Sequence, residues 1–234
     1  MIYAVILGGG SGSRFGSDVP KQFLPVGGVP VIVRSARVFA SHPQVGRIVI
    51  SVGADFVEPT RSMMAEYLPD RAVDVIAGGQ DRNGTMLRIL DHIREKWGVS
   101  EADLILTHDA ARPFIDARIV SDNIAAAAES GACGTAIPAV DTMVLSSGGF
   151  IEASLDRSKI RHMQTPQSFR LALLDDLYRR LTPREAASFT DACSVFTHFG
   201  LPVRLVDGDR DNIKITYPSD LELAERIAEG REPV

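Results

Sequence analysis

Cysteine is scarce, with only Cys133 and Cys193 among 234 residues. Two isolated cysteines fit no zinc-ligand spacing and no disulfide framework. Both read as small buried hydrophobes. Long apolar runs are also lacking, since none approaches the ~18 residues of a membrane span. The apolar start Met1–Leu7 has no basic residue ahead of it, the first being Arg14. No signal peptide is therefore expected, and the protein is expected in the cytoplasm. Positive charge is not in excess: Lys and Arg number 25 against 30 Asp and Glu, a formal net charge of −5. General binding of nucleic acid or anionic membranes is a poor fit. An anionic ligand would need cations concentrated locally. Repeats, low-complexity tracts and linkers are missing, so one domain over 1–234 is expected. No Ser/His/Asp or Cys/His set stands out, and His42, His92 and His198 read as structural residues in helix or turn contexts.

Hydrophobic residues make up 45% and charged residues 24%, which are globular values. A chain of this length buries enough apolar surface to fold without a staple. Nearly continuous apolar runs at Ile2–Leu7, Arg47–Val52, Val73–Ile76, Asp103–Thr107 and Gly134–Pro138 predict strands. Amphipathic stretches at Val31–Ala40, Phe56–Tyr67, Thr85–Trp97 and Ile119–Glu129 predict helices between them. This alternation points to an α/β, Rossmann-like, doubly wound and mostly parallel sheet covered on both faces. Ligands of such sheets sit beyond the carboxyl ends of the strands. Further on, helices are expected at Leu171–Leu181 and Asp191–Phe199, a strand at Val203–Val206, and a last helix capped by Thr216 with Pro218 in its first turn.

One segment breaks the rhythm. Asp141–Leu145 and Phe150–Leu155, joined by Ser146-Ser147-Gly148-Gly149, read as a β-hairpin. It is expected to project as an arm at about 139–163. An isolated hairpin is marginal in water, so Met143, Leu145, Phe150 and Ile151 are expected to bury against something, a second subunit being a natural candidate.

The most informative stretch follows the first strand: Gly8-Gly9-Gly10-Ser11-Gly12-Ser13-Arg14-Phe15-Gly16, then Pro20-Lys21. Glycines at 8, 9, 10 and 12 let the backbone approach a ligand and aim N–H groups at phosphate oxygens. The chain contains no Gly-Lys pair, which excludes a P-loop. A dinucleotide fingerprint starting at Gly10 and Gly12 fails because Phe15 stands at its third glycine position. What remains is a glycine loop that delivers Arg14 and, seven residues later, Lys21. Two cations beside such a backbone suit neutralisation of a triphosphate and of the charge that develops as phosphorus is attacked.

The pattern G-G-x-G-x-R-x-G…P-K-Q resembles the signature of the polyol-phosphate cytidylyltransferases. Gly78–Asn83, Thr107–Phe114, Gln164–Phe169, Thr190-Asp191-Ala192 and Asp211–Lys214 match the family's other motifs in order, so the likeness spans essentially the whole chain. The resemblance implies transfer of CMP from CTP to a polyol phosphate, giving a CDP-polyol and pyrophosphate. It implies backbone contacts to CTP from Gly8, Gly9, Gly10, Gly12 and Gly79, with Arg82, Thr85, Asp109 and Ala110 also around the nucleotide. Arg14 and Lys21 become the catalytic cations. Thr142, Arg157, Thr165, Thr190 and Lys214 would hold the polyol phosphate, and Thr142 and Arg157 would reach across a homodimer through the arm. Asp109 at a strand end beside a triphosphate would either ligand Mg2+, with Asp211 as a weaker second ligand, or hold the polyol.

Two polyols compete. Asp141-Thr142 and Asp156-Arg157-Ser158 are as expected for the branch acting on 2-C-methyl-D-erythritol 4-phosphate in isoprenoid synthesis. Met1–Ala4, Gln164–Phe169 and Thr190–Cys193 are closer to the branch acting on ribitol 5-phosphate for wall polymers, which is favoured slightly. The rival readings are a nucleotidyltransferase using another nucleoside triphosphate on a sugar phosphate, and a catalytically inactive nucleotide-binding module.

Overall fold

The computed structural model describes residues 1–10, 15 and 19–230. Its strands are β1 (Ile2–Gly8), β2 (Pro25–Val26), β3 (Val29–Pro30), β4 (Arg47–Val52), β5 (Val73–Ala77), β6 (Leu104–Asp109), β7 (Ala132–Pro138), β8 (Val144–Ser147), β9 (Phe150–Ser154), β10 (Arg161–Arg170) and β11 (Arg204–Asp207). Its helices are α1 (Val31–Ser41), α2 (Val57–Tyr67), α3 (Arg82–Trp97), α4 (Ala117–Ser130), α5 (Leu171–Arg180), α6 (Pro183–Ala186), α7 (Ala192–His198) and α8 (Pro218–Glu229). Among the described residues a seven-stranded sheet runs in the order β11-β7-β10-β6-β1-β4-β5. Neighbours pair in parallel except β10, which is antiparallel to both β6 and β7.

The sheet is buried on both faces, which is why its strands read as continuous apolar runs. Along β1 the side chains alternate. Ala4 and Ile6 pack with Ile32, Phe39, Ile119 and Val120 from α1 and α4. Tyr3 and Val5 pack with Ile89, Leu90, Leu174 and Phe196 from α3, α5 and α7. A smaller cluster of Val26, Val31, Phe114, Ile215 and Ala224 seats α8 on the β2–β3 ribbon. The chain moves from β1 outward to β4 and β5, then returns through α3 to β6 on the other side of β1. That reversal opens a crevice beyond the carboxyl ends of β1 and β6.

The structure departs from the sequence pattern at two points. The polar segment Gln164–Phe169, which carries no apolar strand signal, is the middle of β10, deep in the sheet. Its polar groups are satisfied there: the Thr107 hydroxyl donates to the Gln167 carbonyl, and the Thr135 hydroxyl to the Pro166 carbonyl. Pro166 is tolerated because the pairing with β7 shifts between Met163 and Gln167, where a bulge removes the need for a backbone donor. The last helix is preceded by Tyr217 as its cap, not Thr216. The Asp220 carboxylate reaches back and accepts the N–H groups of both Thr216 and Tyr217 at 2.8 Å.

The hairpin forms where expected, with strands shifted to β8 and β9. Gly148 and Gly149 both have positive φ, 57° and 85°, which permits a two-residue turn matching the strand twist. Its second flank rejoins the sheet at Arg161, opposite Pro138. Leu145, Phe150 and Ile151 are exposed, Phe150 at 79%.

Candidate active site

A cavity of about 410 Å³ lies beyond the carboxyl ends of β1, β5 and β6. It gathers Gly8, Gly9, Gly10, Lys21 and Gln22 from the first strand and its loop, and Gly79–Arg82 and Thr85 from the start of α3. Asp109, Ala110 and Ala111 close one wall, with Lys214 and Thr216 beside them.

Close backbone packing builds the walls. Gln22 is buried and donates to the Gly8 carbonyl at 2.6 Å, tying the glycine loop to the short turn that carries Lys21. A Cβ on Gly79 would lie 2.5 Å from the Gly84 carbonyl carbon and 2.7 Å from the Thr85 nitrogen, so only glycine fits against the first turn of α3. Gly79 N–H donates to the Thr85 hydroxyl at 3.0 Å, and that hydroxyl donates to the Asp81 carbonyl at 2.7 Å. The Asp81 side chain caps α3 by accepting Gly84 N–H at 2.7 Å. The sixteen-residue α3 thus presents its positive end to the cavity. On the opposite wall, Ala110 N–H donates to the Leu7 carbonyl, locking the end of β6 to β1.

Electrostatically the cavity centres on Asp109. Its Oδ1 lies 3.1 Å from Arg82 Nη1, and its Oδ2 lies 2.8 Å from Lys214 Nζ and 3.7 Å from Arg112 Nε. Burial alone would raise the Asp109 pKa, but Arg82, Lys214 and Arg112 outweigh it and hold the carboxyl well below the usual range. Asp109 is therefore ionised at neutral pH. It balances one charge against three, which leaves the wall net positive. Burial lowers the Arg112 pKa, with Asp109 opposing the shift. Arg112 also holds the carbonyls of Asn212 and Met163, so it braces the floor.

A cavity lined by glycine backbone and several cations accepts a polyanion. Among the described residues no group of three or more His, Cys, Asp or Glu is gathered as for a metal. Both Asp109 oxygens already face cations, and Asp211 is not among the lining residues. This donor set does not fit a divalent cation held by the protein.

The family model described as 2-C-methyl-D-erythritol 4-phosphate cytidylyltransferase (IspD) matches residues 2–230. The chain belongs to this cytidylyltransferase family. It is accordingly a CTP-dependent nucleotidyltransferase. A ribitol-5-phosphate cytidylyltransferase of Lactiplantibacillus plantarum is 38% identical over 232 residues, covering 99% of this chain and 100% of the relative. The 4-diphosphocytidyl-2C-methyl-D-erythritol synthase of Anaerococcus prevotii superposes with a TM-score of 0.82 at 25% identity, over 97% of this chain and 96% of that one. The 2-C-methyl-D-erythritol 4-phosphate cytidylyltransferase of Thermus thermophilus gives 0.76 at 28% identity, over 96% and 98%.

In this cytidylyltransferase, Gly8, Gly9, Gly10, Lys21, Gly79, Arg82, Thr85, Asp109, Ala110 and Lys214 share one cavity. Gly12 and Arg14 lie outside the described residues. Thr142 and Arg157 sit at the arm, away from this lining. Arg157 joins a second, open groove with Pro138, Ala139, Asp156, Ser158 and Arg161, and donates to the Val140 carbonyl at 2.9 Å. Thr190 is exposed beside the Asp191 cap of α7. Thr165 is buried behind Asp109, where its hydroxyl accepts the Asp109 N–H at 3.0 Å. Sequence reasoning gave no place in the site to Gln22 or Thr216, which line the cavity, or to His108. Gln22 follows Lys21 directly, and its adjacency was the available signal. Among the described residues no helix is long and apolar enough to cross a membrane.

Proposed function

We propose that this protein makes CDP-ribitol from CTP and ribitol 5-phosphate, releasing pyrophosphate. Cytidylyl transfer from CTP to a polyol phosphate follows from family membership. The choice of ribitol rests on one observation, the 38% identity to a ribitol-5-phosphate cytidylyltransferase over the full length of both chains. The second reading, 2-C-methyl-D-erythritol 4-phosphate, is favoured by the family model and by the solved structures.

In this reading a phosphate oxygen of the polyol phosphate attacks the α-phosphorus of CTP in line. The new P–O bond forms as the bond to pyrophosphate breaks. The nucleophile is already an anion, so no strong base is required, and catalysis is positioning plus charge stabilisation. The N–H groups of Gly8, Gly9 and Gly10, with Gly12, cradle the triphosphate. Arg14 and Lys21 stabilise the charge of the five-coordinate transition state. Gly79, Arg82, Thr85 and Ala110 form the wall around the nucleoside. Asp109 organises Arg82 and Lys214 rather than binding metal. Mg2+, in this reading, accompanies CTP as its counter-ion and needs no caged site.

The arm supplies the dimer contact through Leu145, Phe150 and Ile151. In the dimer, Thr142 and Arg157 of one protomer complete the polyol-phosphate site of the other, with Lys214 and Thr190. The enzyme works in the cytoplasm. The test is pyrophosphate release with CTP, UTP and GTP against each polyol phosphate in parallel. Turnover with CTP and ribitol 5-phosphate supports the reading. Faster turnover with 2-C-methyl-D-erythritol 4-phosphate moves it to the second, and exclusive use of another nucleotide overturns both.

A further inference from the structure

His108 is fully buried and stands one residue before the carboxylate that organises the cavity. Its ring packs against the Phe39 ring at 5.2 Å, and both ring nitrogens have partners. Nε2 lies 3.0 Å from the Arg112 carbonyl oxygen, and Nδ1 lies 3.0 Å from the Thr165 hydroxyl oxygen. A carbonyl can only accept, so Nε2 carries a proton. Burial pushes the ring pKa down to about 4, so at neutral pH the ring has one proton and Nδ1 is an acceptor. The Thr165 hydroxyl must then donate to Nδ1. The same oxygen accepts the Asp109 N–H at 3.0 Å. Every bond direction follows: Asp109 N–H to Thr165, Thr165 O–H to His108, His108 Nε2–H to Arg112. The relay joins β10 to both ends of the turn Asp109–Arg112, which Arg112 N–H closes onto the Asp109 carbonyl at 3.0 Å.

We infer that His108 is a positioning residue for cytidylyl transfer: as a neutral imidazole protonated on Nε2, it fixes the Thr165 hydroxyl and the turn behind it. It thereby aims the Asp109 carboxylate, and through it Arg82 and Lys214, into the cavity. The kinetic part rests on the proposal that this cavity is the transfer site. A second consequence concerns Thr165. Its only proton is engaged by His108, and a phosphate oxygen at neutral pH is an acceptor. Thr165 therefore supports Asp109 from behind and does not donate to the polyol phosphate.

The test combines a spectrum with a double-mutant cycle. In protein labelled with 15N-histidine at pH 7, a long-range 1H–15N spectrum should show, among the neutral rings protonated on Nε2, one whose signals disappear in His108→Phe and so belong to His108. Thr165→Val should shift the Nδ1 resonance of that ring and leave Nε2 protonated. His108→Phe and Thr165→Val should each lower kcat by about 10- to 100-fold, the scale of orphaning a buried hydrogen bond. The double variant should stay within about threefold of the worse single one, because both break the same relay. A His108 ring protonated on Nδ1 or charged at pH 7, a His108 Nδ1 signal unmoved in Thr165→Val, or losses that multiply would overturn the inference. Should His108→Phe fail to fold, the wild-type and Thr165→Val spectra and the Thr165→Val kcat still decide, and an unchanged kcat would overturn it. If the wild-type protein releases no pyrophosphate, the proposed function fails while the spectrum still tests the relay.

Discussion

Replacing Asp109 with Asn keeps the shape of the side chain and removes its charge. Three cations converge on that carboxylate: Lys214 at 2.8 Å, Arg82 at 3.1 Å and Arg112 at 3.7 Å. Removing one partner from a fully buried charge pair costs about 3–5 kcal/mol. Here the Asp109 side chain is 9% exposed, but Arg82 and Lys214 are 27% and 39% exposed, so water takes up part of the imbalance. The expected loss is about 2 kcal/mol, a fall in Tm of roughly 4–8 °C for a chain of this size. The kinetic signature is more specific. With its counter-charge gone, the wall is more positive, so KM for CTP should not rise. Arg82 and Lys214 lose their aim, so kcat should fall about 100-fold, the scale of one lost preorganised contact. Calorimetry and a pyrophosphate assay measured against Mg2+ concentration would check this. A variant needing much more Mg2+ for half-maximal rate would make Asp109 a metal ligand. One with wild-type Tm and kcat would refute the charge hub.

Arg14→Ala or Lys21→Ala should lower kcat by about 10²–10³-fold, with little change in Tm, in the same assay. Gly79→Ala should raise KM for CTP and lower Tm, because its Cβ would meet the backbone of Gly84 and Thr85 within 2.8 Å, whereas a Cβ on Gly9 meets none of the described residues within 4 Å and Gly9→Ala should leave Tm unchanged. Deleting the hairpin from Val140 to Lys159 should give a monomer by light scattering that is inactive, and a fully active monomer would refute the shared site. His108 is protonated in the unfolded chain below its ordinary 6.5, but in the folded chain only below about 4. Stability should therefore be lost as pH falls from 6.5 to 4, by about 3 kcal/mol from this residue. Denaturant melts of His108→Phe should show that slope removed.

The strands β1, β4, β5 and β6 were legible because a sheet covered on both faces needs near-continuous apolar runs. The hairpin was legible because Gly148 and Gly149 sit where the turn demands positive φ. The strand β10 was not. Gln164, Thr165, Gln167 and Ser168 are buried at its centre, and their partners come from Asp209, His108, Asp191 and Asn123, all distant in sequence. No local periodicity encodes such partners. The same limit governs the site. The glycine loop, Lys21 and Asp109 announced themselves by type and spacing. That Asp109 holds Lys214, 105 residues away, and that Thr165 faces inward, depends on how β10 inserts beside β6.

Whether the glycine loop and its cations hold the triphosphate of CTP is decided by a crystal structure of the protein with the nucleotide bound. Phosphate oxygens should lie against the backbone of Gly8–Gly10 and within reach of Lys21 and Arg14. A nucleotide seated instead in the groove formed by Pro138, Arg157 and Arg161, whose lining does not include Lys21, would show that the loop is not the triphosphate cradle.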